Sequence, residues 1–583
     1  MAYQFYNSKS PYNLPDNYGN FVGYRIALSR LGAPTKPDTA NQIAQVAGML
    51  NQGIKQIEVG TLSPDVFDQI PKQHFKEMNR LVKLTGAETS VHAPLIEPSG
   101  FVKEGAWNEL DRKSAERHMF EVIDKAHELS PDKNVPVTFH GSGIPGTEWM
   151  PGKKGGVEAE QMIAINKETG EMRPLKSEEM TYPGRETRTY TPEERLKILN
   201  ESHWDNNLSQ VVFYKDRGTQ VFNQYYPTVA ANPYYRQFVE GKMKPEEFEE
   251  KIKDDREFKS AFNATQNAQV FLDNSRMMLN SLYNEAYKVA DEDEKKKLKE
   301  FGAQFAKDLR NPKNPADVFA ATENLINNLR TITPKSYEPI EDFAISKASK
   351  TFANTAFHGY NKFGDKAPIV SIENLYPGMT FSRGEQMKQL VEESRKKFVE
   401  KAVKEGRSES EAENAAKKLI GVTWDVGHLN IMKKAGFKNE DVIKETEAIA
   451  KYVKHVHLTD NFGHSDSHLP IGMGNVPAKE IMEKLEQSGF KGKTAVEAGG
   501  WAQHFGTSPF PDIISNFGSP IYSDGKNYWN QASWHVGGYM GSYNPWFPEQ
   551  HFSIYGAGFS GLPSELGGQF AGRQSRFSGT PEA

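Results

Sequence analysis

The sequence predicts an α/β protein: a (β/α)8 TIM barrel with a large helical insertion after the fourth strand and a Gly- and aromatic-rich C-terminal extension. Short β-like runs recur in order along the chain, and helical patterns lie between several of them. Strands that alternate with helices favour a parallel sheet, and eight such units favour a closed barrel over an open sheet. The eight runs are 22–27, 56–59, 89–92, 135–139, 368–373, 421–425, 453–458 and 494–497.

Three stretches between these runs carry apolar side chains at helical spacing, namely 41–50, 114–129 and 440–452. They have the length and period of the helices that surround a parallel barrel. At 583 residues the chain can hold a barrel of about 250 residues together with sizeable appendages.

The interval between the fourth and fifth runs is far longer than an ordinary βα connection. Its first part, 143–192, is rich in Gly, Pro, Lys and Glu and is typical of a polar loop, whereas 192–329 contains several charged helical patterns. Two interpretations stay open for this insertion: a solvated decoration, or a lid that shapes the site. A shorter segment, 387–419, is dense in Lys and Glu and predicts one or two exposed helices.

These patterns divide the chain into four parts. Residues 1–142 hold the first half of the barrel, 143–346 the insertion with its polar loop and helical subdomain, 347–505 the second half, and 506–583 the extension. The extension combines many glycines, which disfavour regular structure, with aromatic rings, which argue against simple disorder. We interpret it as an arm that covers the barrel or binds a protein partner.

Composition excludes several classes of site. The chain has no cysteine, which rules out disulfides, thiolate zinc sites and cysteine nucleophiles, so any metal must be held by His, Asp and Glu. A formal charge of -5 provides no overall attraction to nucleic acid. Residues 1–20 lack an apolar signal region and no long apolar run follows, so we expect a soluble, cytoplasmic protein with no membrane partner.

Potential metal ligands follow or close the predicted strands in order. Strand ends that converge on one rim are where a parallel barrel places its chemistry. Imidazole and carboxylate together suit zinc, manganese or iron. The nine candidate ligands are His92, His140, Glu373, Asp425, His428, His457, Asp466, His468 and Glu497.

Local spacing refines this prediction. His455 and His457 are two residues apart and share one face of a strand, with His457 at the rim and His455 one layer deeper. Asp425 and His428 allow one peptide to serve two neighbouring metals, and an Asp466-Ser-His468 turn can chelate a single ion. Glu58 and Arg25, near the ends of the first two strands, line the pocket or form structural ion pairs.

In its ordered ligands and in its Asp-x-x-His, His-Leu-x-Asp and Asp-x-His spacings, the chain resembles the xylose isomerase-like TIM barrels, and within them the endonuclease IV family of AP endonucleases. The resemblance covers about residues 21–501 without the large insertion. It implies up to three Zn²⁺ ions, with Mn²⁺ or Mg²⁺ as alternatives. The implied ligands are His92, His140 and Glu373 for the first ion, Glu373, Asp425, His457 and Glu497 for the second, and His428, Asp466 and His468 for the third.

The resemblance also implies an activity, the metal-assisted hydrolysis of a phosphodiester in DNA with an abasic or damaged site. Glu373 and Glu497 are the implied catalytic residues, with Glu497 orienting the nucleophile. Two alternatives stay open. A sugar or sugar-phosphate isomerase or epimerase needs one ion on a Glu, Asp, His, Glu set and uses the two glutamates to move a proton. A barrel that keeps its metals can also serve as a scaffold or binding protein.

Overall fold

The computed structural model describes residues 24, 26, 30–51, 53–101, 107–152, 155–181, 183–184, 186–310, 315–498, 513, 516 and 517. Apart from these last three positions, the predicted C-terminal extension 506–583 lies outside the described residues.

Eight parallel strands form a closed barrel, which confirms the predicted fold class. Each strand pairs with the next barrel strand, and the first closes against the last through the pair Leu31 and Thr494. The barrel strands are Leu31–Pro34, Gln56–Gly60, Glu88–His92, Pro136–His140, Ile369–Glu373, Ile420–Asp425, Val453–His457 and Lys493–Ala495.

The first strand lies further along the chain than predicted. The sequence pattern pointed to 22–27, but the strand that closes the barrel is Leu31–Pro34. Its Leu-Gly-Ala-Pro sequence contains residues that are depleted in strands, so β-propensity does not reveal it. Gly32 is needed there because a Cβ atom would meet the side chain of Gln56 on the neighbouring strand.

The barrel interior is built in layers. The last residue of several strands points to the rim, and the residue two positions earlier points the same way but lies deeper. The deeper layer is fully buried and polar: Thr138 and Thr423 hydrogen-bond at 2.9 Å, and Thr423 donates to Ser371 at 2.8 Å. A hydroxyl network therefore supports the rim from below.

Helices and short 3-10 turns complete this barrel unit. Glu109–Leu129 shows why they form: Asn108 caps its first turn, and Met119, Val122 and Ala126 lie on its buried face. The helices are Gln42–Asn51, Pro64–Asp68, Lys72–Thr85, Glu109–Leu129, Ile340–Phe363, Gly384–Lys404, Glu409–Leu419, Val426–Asn430, Asn439–Ile449 and Ala478–Gln487, and the turns are Gly364–Lys366, Ile431–Ala435 and Ala450–Tyr452.

The segment 387–419 is not an exposed insertion. It forms the helices Gly384–Lys404 and Glu409–Leu419 between the fifth and sixth barrel strands, and each has a buried face. Met387, Leu390 and Phe398 are fully buried at helical spacing. Composition alone does not reveal this apolar stripe, because many Lys and Glu residues lie on the outer face of the same helices.

The chain forms two compact units: residues 1–163 together with 339–583, and Ala164–Glu338. The second unit is mainly helical, and its longest helices, Pro192–Ala231 and Arg256–Val289, pack against each other. Its core includes Trp204, Leu279 and Leu298. The other helices of this unit are Pro233–Val239, Pro245–Lys251, Glu292–Asp308 and Pro315–Leu329.

The stretch predicted as a polar loop after the fourth barrel strand contains short strands instead. They are Glu148–Pro151, Val157–Asn166, Met172–Lys176, Glu178–Met180 and Arg188–Tyr190, and Tyr337–Pro339 follows the helices. Charged residues on the exposed positions obscured the strand pattern. Among the described residues, no helix has the length and apolar character that crossing a membrane requires.

Candidate metal centre

The barrel brings all nine sequence-predicted ligands to one rim. His92, His140, Glu373, Asp425 and His457 are each the last residue of their strand. His428 lies in the helical turn Val426–Asn430, Glu497 follows the eighth strand by two residues, and Asp466 and His468 lie after the seventh strand. Parallel strands end on the same side of a barrel, so ligands far apart in sequence become neighbours.

The first cluster consists of His92, His140 and Glu373. Oε2 of Glu373 lies 3.4 Å from Nε2 of His92 and 3.2 Å from Nε2 of His140. Within the described part of the chain this oxygen accepts no hydrogen bond. Ligands bonded at about 2.1 Å around a tetrahedral ion lie about 3.4 Å apart. The spacing therefore fits three donors directed at one cation.

The second cluster consists of Glu373, Asp425, His457 and Glu497. Nδ1 of His457 lies 2.6 Å from Oε1 of Glu373, 3.3 Å from Oε1 of Glu497 and 3.9 Å from Oδ2 of Asp425. Glu373 takes part in both clusters, with Oε2 in the first and Oε1 in the second. Its carboxylate has the position of a bridge between two cations.

The third cluster consists of His428, Asp466 and His468. Oδ2 of Asp466 lies 3.2 Å from Nε2 of His428 and 2.8 Å from Nε2 of His468. The backbone of His468 has a φ of 47°, in the left-handed region that non-glycine residues seldom occupy. Such strain is typical of positions where a side chain must point in a set direction.

Outer hydrogen bonds orient several of these ligands. Nδ1 of His92 donates to the carbonyl of Ala93, and Nδ1 of His428 donates to the carbonyl of Asn374, both at 2.9 Å. A carbonyl can only accept, so each ring carries a proton on Nδ1 and directs Nε2 at a cluster. The backbone thus fixes two imidazoles in the form that binds a metal.

Asp425 is oriented in the same manner. Its Oδ1 accepts hydrogen bonds from the backbone N–H of His428 at 2.7 Å and from the hydroxyl of Thr459 at 3.0 Å. These bonds leave Oδ2 directed at the second cluster. One oxygen anchors the side chain, and the other is left for a cation.

Unpaired buried oxygens test whether this centre fits a metal. Oε2 of Glu373, Oδ2 of Asp425 and Oδ1 of Asp466 are buried and, among the described residues, have no hydrogen-bond partner. Burying carboxylate oxygens without partners is costly unless a cation compensates them. Imidazole and carboxylate donors within 4.8 Å of one another suit a divalent cation such as zinc or manganese. The nine residues therefore fit bound divalent cations.

Protonation differs sharply among neighbouring groups. Burial alone would lower the pKa of His92, but Glu373 and Glu497 outweigh it and raise the pKa to about 9. Burial lowers the pKa of His140 to about 4. Burial raises the pKa of Glu497, whereas the imidazoles of His457 and His140 overcome burial and hold the pKa of Glu373 well below its usual range.

Some residues of this centre were not singled out as site residues from the sequence. Tyr376 is 39% exposed, and its ring centre lies 5.9 Å from that of His428. Asn374 binds the backbone of Asp425 through both its amide oxygen and its amide nitrogen. Asn374 directly follows Glu373 and Tyr376 lies two residues after Asn374, so their place in the loop after a ligand-bearing strand was an available signal.

Three further residues, Glu58, Arg25 and Asp460, belong to the predicted pocket or to its motifs. Glu58 lies in the second strand and contacts His455 and His457, while Arg25, its predicted neighbour in the pocket, lies outside the described residues. Asp460 of the His-Leu-x-Asp motif accepts backbone hydrogen bonds from Asn461, Gly472 and Val476. Asp460 therefore shapes the loop that carries the third cluster.

Comparison with known proteins agrees with this architecture. The family model described as xylose isomerase-like TIM barrel matches residues 401–505. An uncharacterized protein of Methanocaldococcus jannaschii is 39% identical over 80 residues, which make up 14% of this chain and 26% of that protein. The chain thus matches about a quarter of the length of this relative.

Two solved structures are also similar. A D-tagatose 3-epimerase-like protein has 13% identity and a TM-score of 0.34, with 80% of this chain and 90% of that chain covered. A D-psicose 3-epimerase of Clostridium cellulolyticum, solved with D-tagatose, has 8% identity and a TM-score of 0.34, with 80% and 83% covered.

The superfamily of the matching family model contains isomerases, epimerases and endonucleases, and its members bind divalent metals. The matched residues 401–505 contain the last three strands of the closed eight-stranded barrel, and they are similar to the xylose isomerase-like TIM barrel model.

Proposed function

We propose that the barrel is a hydrolase of phosphodiester bonds in abasic or damaged DNA and that it works with up to three divalent cations, zinc first among them. One observation carries this proposal. An isomerase site needs only Glu373, Asp425, His457 and Glu497. The five remaining ligands supply the other two clusters, and the first of these shares Glu373. Several adjacent cations suit a reaction in which both the attacking and the departing oxygen need stabilisation.

Bound cations would supply Lewis acidity to the phosphate and lower the pKa of a water molecule. The protein side chains divide the remaining work. Glu373, with 1% of its side chain exposed, holds the first two clusters together. Glu497 is 15% exposed, and this more accessible position suits a group that orients the nucleophile. Tyr376, whose ring lies beside His428 of the third cluster, would contact the nucleotide next to the cleaved bond under this proposal.

The proposal is tested by counting metals in the purified protein and assaying it on a duplex with one abasic site. We expect close to three divalent ions per chain and a nick at the lesion. His428→Ala or His468→Ala removes a ligand of the third cluster and should lower the nicking rate at least about 100-fold, a typical cost of losing transition-state charge stabilisation.

The matched control is His464→Ala, because His464 is an exposed histidine four residues before His468. This variant should nick at the rate of the unmodified protein. A protein that holds a single ion and leaves abasic DNA intact contradicts the proposal.

A second candidate, a sugar isomerase or epimerase, is favoured by the two glutamates of the second cluster. The pKa of Glu373 is lowered and that of Glu497 is raised. Carboxyl groups with displaced pKa values are suited to accept and return a proton next to a carbonyl. Such an enzyme would convert a ketose, tolerate His428→Ala and His468→Ala, and lose activity with Glu373→Gln or Glu497→Gln.

A further inference from the structure

We propose that Glu58 is a positioning residue that fixes the tautomer of His457 and thereby aims Nδ1 of that ring at the second cluster. The inference rests on the metal centre of the proposed function. Glu58 lies in the second barrel strand, and its side chain is fully buried. It is not one of the nine ligands predicted from the sequence.

The contacts of Glu58 are with two histidines of the seventh strand. Oε1 lies 3.2 Å from Nε2 of His455 and accepts a hydrogen bond from it. Oε2 lies 3.1 Å from Nε2 of His457, a close contact that is less well aligned, since it does not meet hydrogen-bond geometry. All three side chains are fully buried.

A carboxylate that faces two imidazoles constrains the protons of both. Each neutral imidazole has one N–H, and an ionised carboxylate can only accept. His455 then carries its proton on Nε2, and its Nδ1 is buried without a hydrogen-bond partner among the described residues, which suits a ring nitrogen that bears no proton. Nδ1 of His457 hydrogen-bonds with Oε1 of Glu373 at 2.6 Å. A cation held by the second cluster would take the lone pair of this nitrogen, and the remaining proton of His457 would then lie on Nε2, facing Oε2 of Glu58.

Other ligands of the centre show why the outer nitrogen of His457 needs a side chain as its hydrogen-bond acceptor. His92 and His428 donate their outer N–H to backbone carbonyls. His457 binds through the opposite nitrogen, and its outer nitrogen points into the barrel interior, where Glu58 supplies the acceptor. The orientation of His457 therefore depends on a residue that substitution can change.

Glu58, His455 and His457 also lie close enough to hold a cation of their own. That arrangement would require both nitrogens of His457 to act as ligands, one for each ion. The hydrogen-bond role needs only the ordinary neutral ring. We therefore assign Glu58 to orienting His457, and a fourth bound ion is an outcome that the experiment below detects.

The test is Glu58→Gln in the full-length protein, with zinc content and affinity measured by competition against a chelator. The glutamine amide offers one acceptor and one donor, so it cannot accept from both rings. We expect zinc affinity at the second cluster to fall by about 10–100-fold, as is usual for the outer partner of a metal-bound histidine. The matched control is Glu341→Gln, because Glu341 is a buried carboxylate of the same unit that accepts from the backbone N–H of Thr147.

A second pair of variants separates positioning from a general loss of stability. In His455→Leu, Glu58 still serves His457, so zinc affinity should stay close to that of the unmodified protein. In the double variant E58Q/H455L, the amide oxygen is free to accept from His457, and affinity should recover above that of E58Q. A purely structural role for Glu58 gives no such recovery. Circular dichroism checks that each variant is folded.

The outcomes separate this inference from the proposed function. Equal zinc affinity in E58Q and the unmodified protein overturns the positioning role, and so does a fourth ion that E58Q alone removes. Zinc binding that responds to E58Q as expected, in a protein that does not cleave abasic DNA, leaves the positioning role intact and rejects the hydrolase.

Discussion

At the scale of single residues, side chains of the metal centre have one atom anchored by hydrogen bonds and another atom left to bind a cation. Asp425 shows this most clearly, because Oδ1 accepts two hydrogen bonds and Oδ2 accepts none among the described residues. The same division holds for His92 and His428, whose Nδ1 atoms bind carbonyls. Anchoring reduces the conformational freedom that a ligand would otherwise lose when a cation binds.

Asp425→Asn tests this division. The amide oxygen keeps the anchoring role of Oδ1, and the amide nitrogen replaces Oδ2, so the fold is retained while one ligand is lost. We expect zinc affinity at the second cluster to fall at least about 100-fold, a larger loss than that caused by removing an outer partner. Metal analysis after dialysis measures it, and a full metal content would show that Oδ2 is not a ligand.

At this scale the sequence placed His140 and Asp425 at strand ends, where the structure has them, and their role as ligands stays a prediction. It identified His455 as the deeper neighbour of His457 because the period of a strand is two. It could not pair His455 with Glu58, since these residues are 397 positions apart and meet only when the barrel closes. Contacts across the interior depend on barrel closure, which no local pattern encodes.

At the scale of elements, two helices of the barrel unit are joined by a partly buried carboxylate. Asp124 in Glu109–Leu129 binds His358 at 3.0 Å and Lys362 at 2.6 Å, both in Ile340–Phe363. Burial alone would raise the pKa of Asp124, but the hydrogen bonds from His358 and Lys362 outweigh it and lower the pKa to about 2. The carboxylate therefore stabilises the pairing of the two helices.

Asp124→Asn should lower the free energy of unfolding by about 1–2 kcal/mol at pH 7, less than the full pKa shift implies because the side chain is 15% exposed. A lowered folded-state pKa gives stability above the unfolded value near 4, and this stability is lost as the pH falls toward 2. The difference between variant and unmodified protein should therefore vanish across that range in urea unfolding. Glu121→Gln, an exposed position on the same helix, should show no such difference.

Helices and strands could be predicted where the sequence pattern pointed to a single type of secondary structure. The strand Val453–His457, with its sequence Val-Lys-His-Val-His, was located within one residue. The strand Leu31–Pro34 was missed because Gly and Pro carry no β signal, and Gly384–Lys404 was taken as an exposed insertion because its outer face is charged. Packing against neighbouring elements, rather than intrinsic propensity, determines the structure of both segments.

At the scale of the whole molecule, the second unit has a hydrophobic core of its own. Trp204 is buried to 1% exposure and donates its indole N–H to the carbonyl of Leu329. Leu279, Leu298 and Ile326 belong to the same cluster. A core of this kind supports independent unfolding of the unit.

Trp204→Ala should lower the stability of the second unit by about 3–5 kcal/mol, the usual cost of emptying a large buried aromatic site. The metal content of the barrel should stay unchanged, because all nine ligands belong to the first unit. Calorimetry with metal analysis measures both effects. Phe213→Ala, at a 65% exposed position on the same helix, is the control, and a loss of metal in the tryptophan variant would contradict the independence of the two units.

The position of Glu373 has a consequence for how the centre fills. One carboxylate faces two adjacent clusters, with one oxygen in each. Two cations held so close repel each other, and the shared negative charge between them offsets part of that repulsion. Occupancy of the two neighbouring positions would therefore be linked, and a second cation would bind more weakly once the other position is filled.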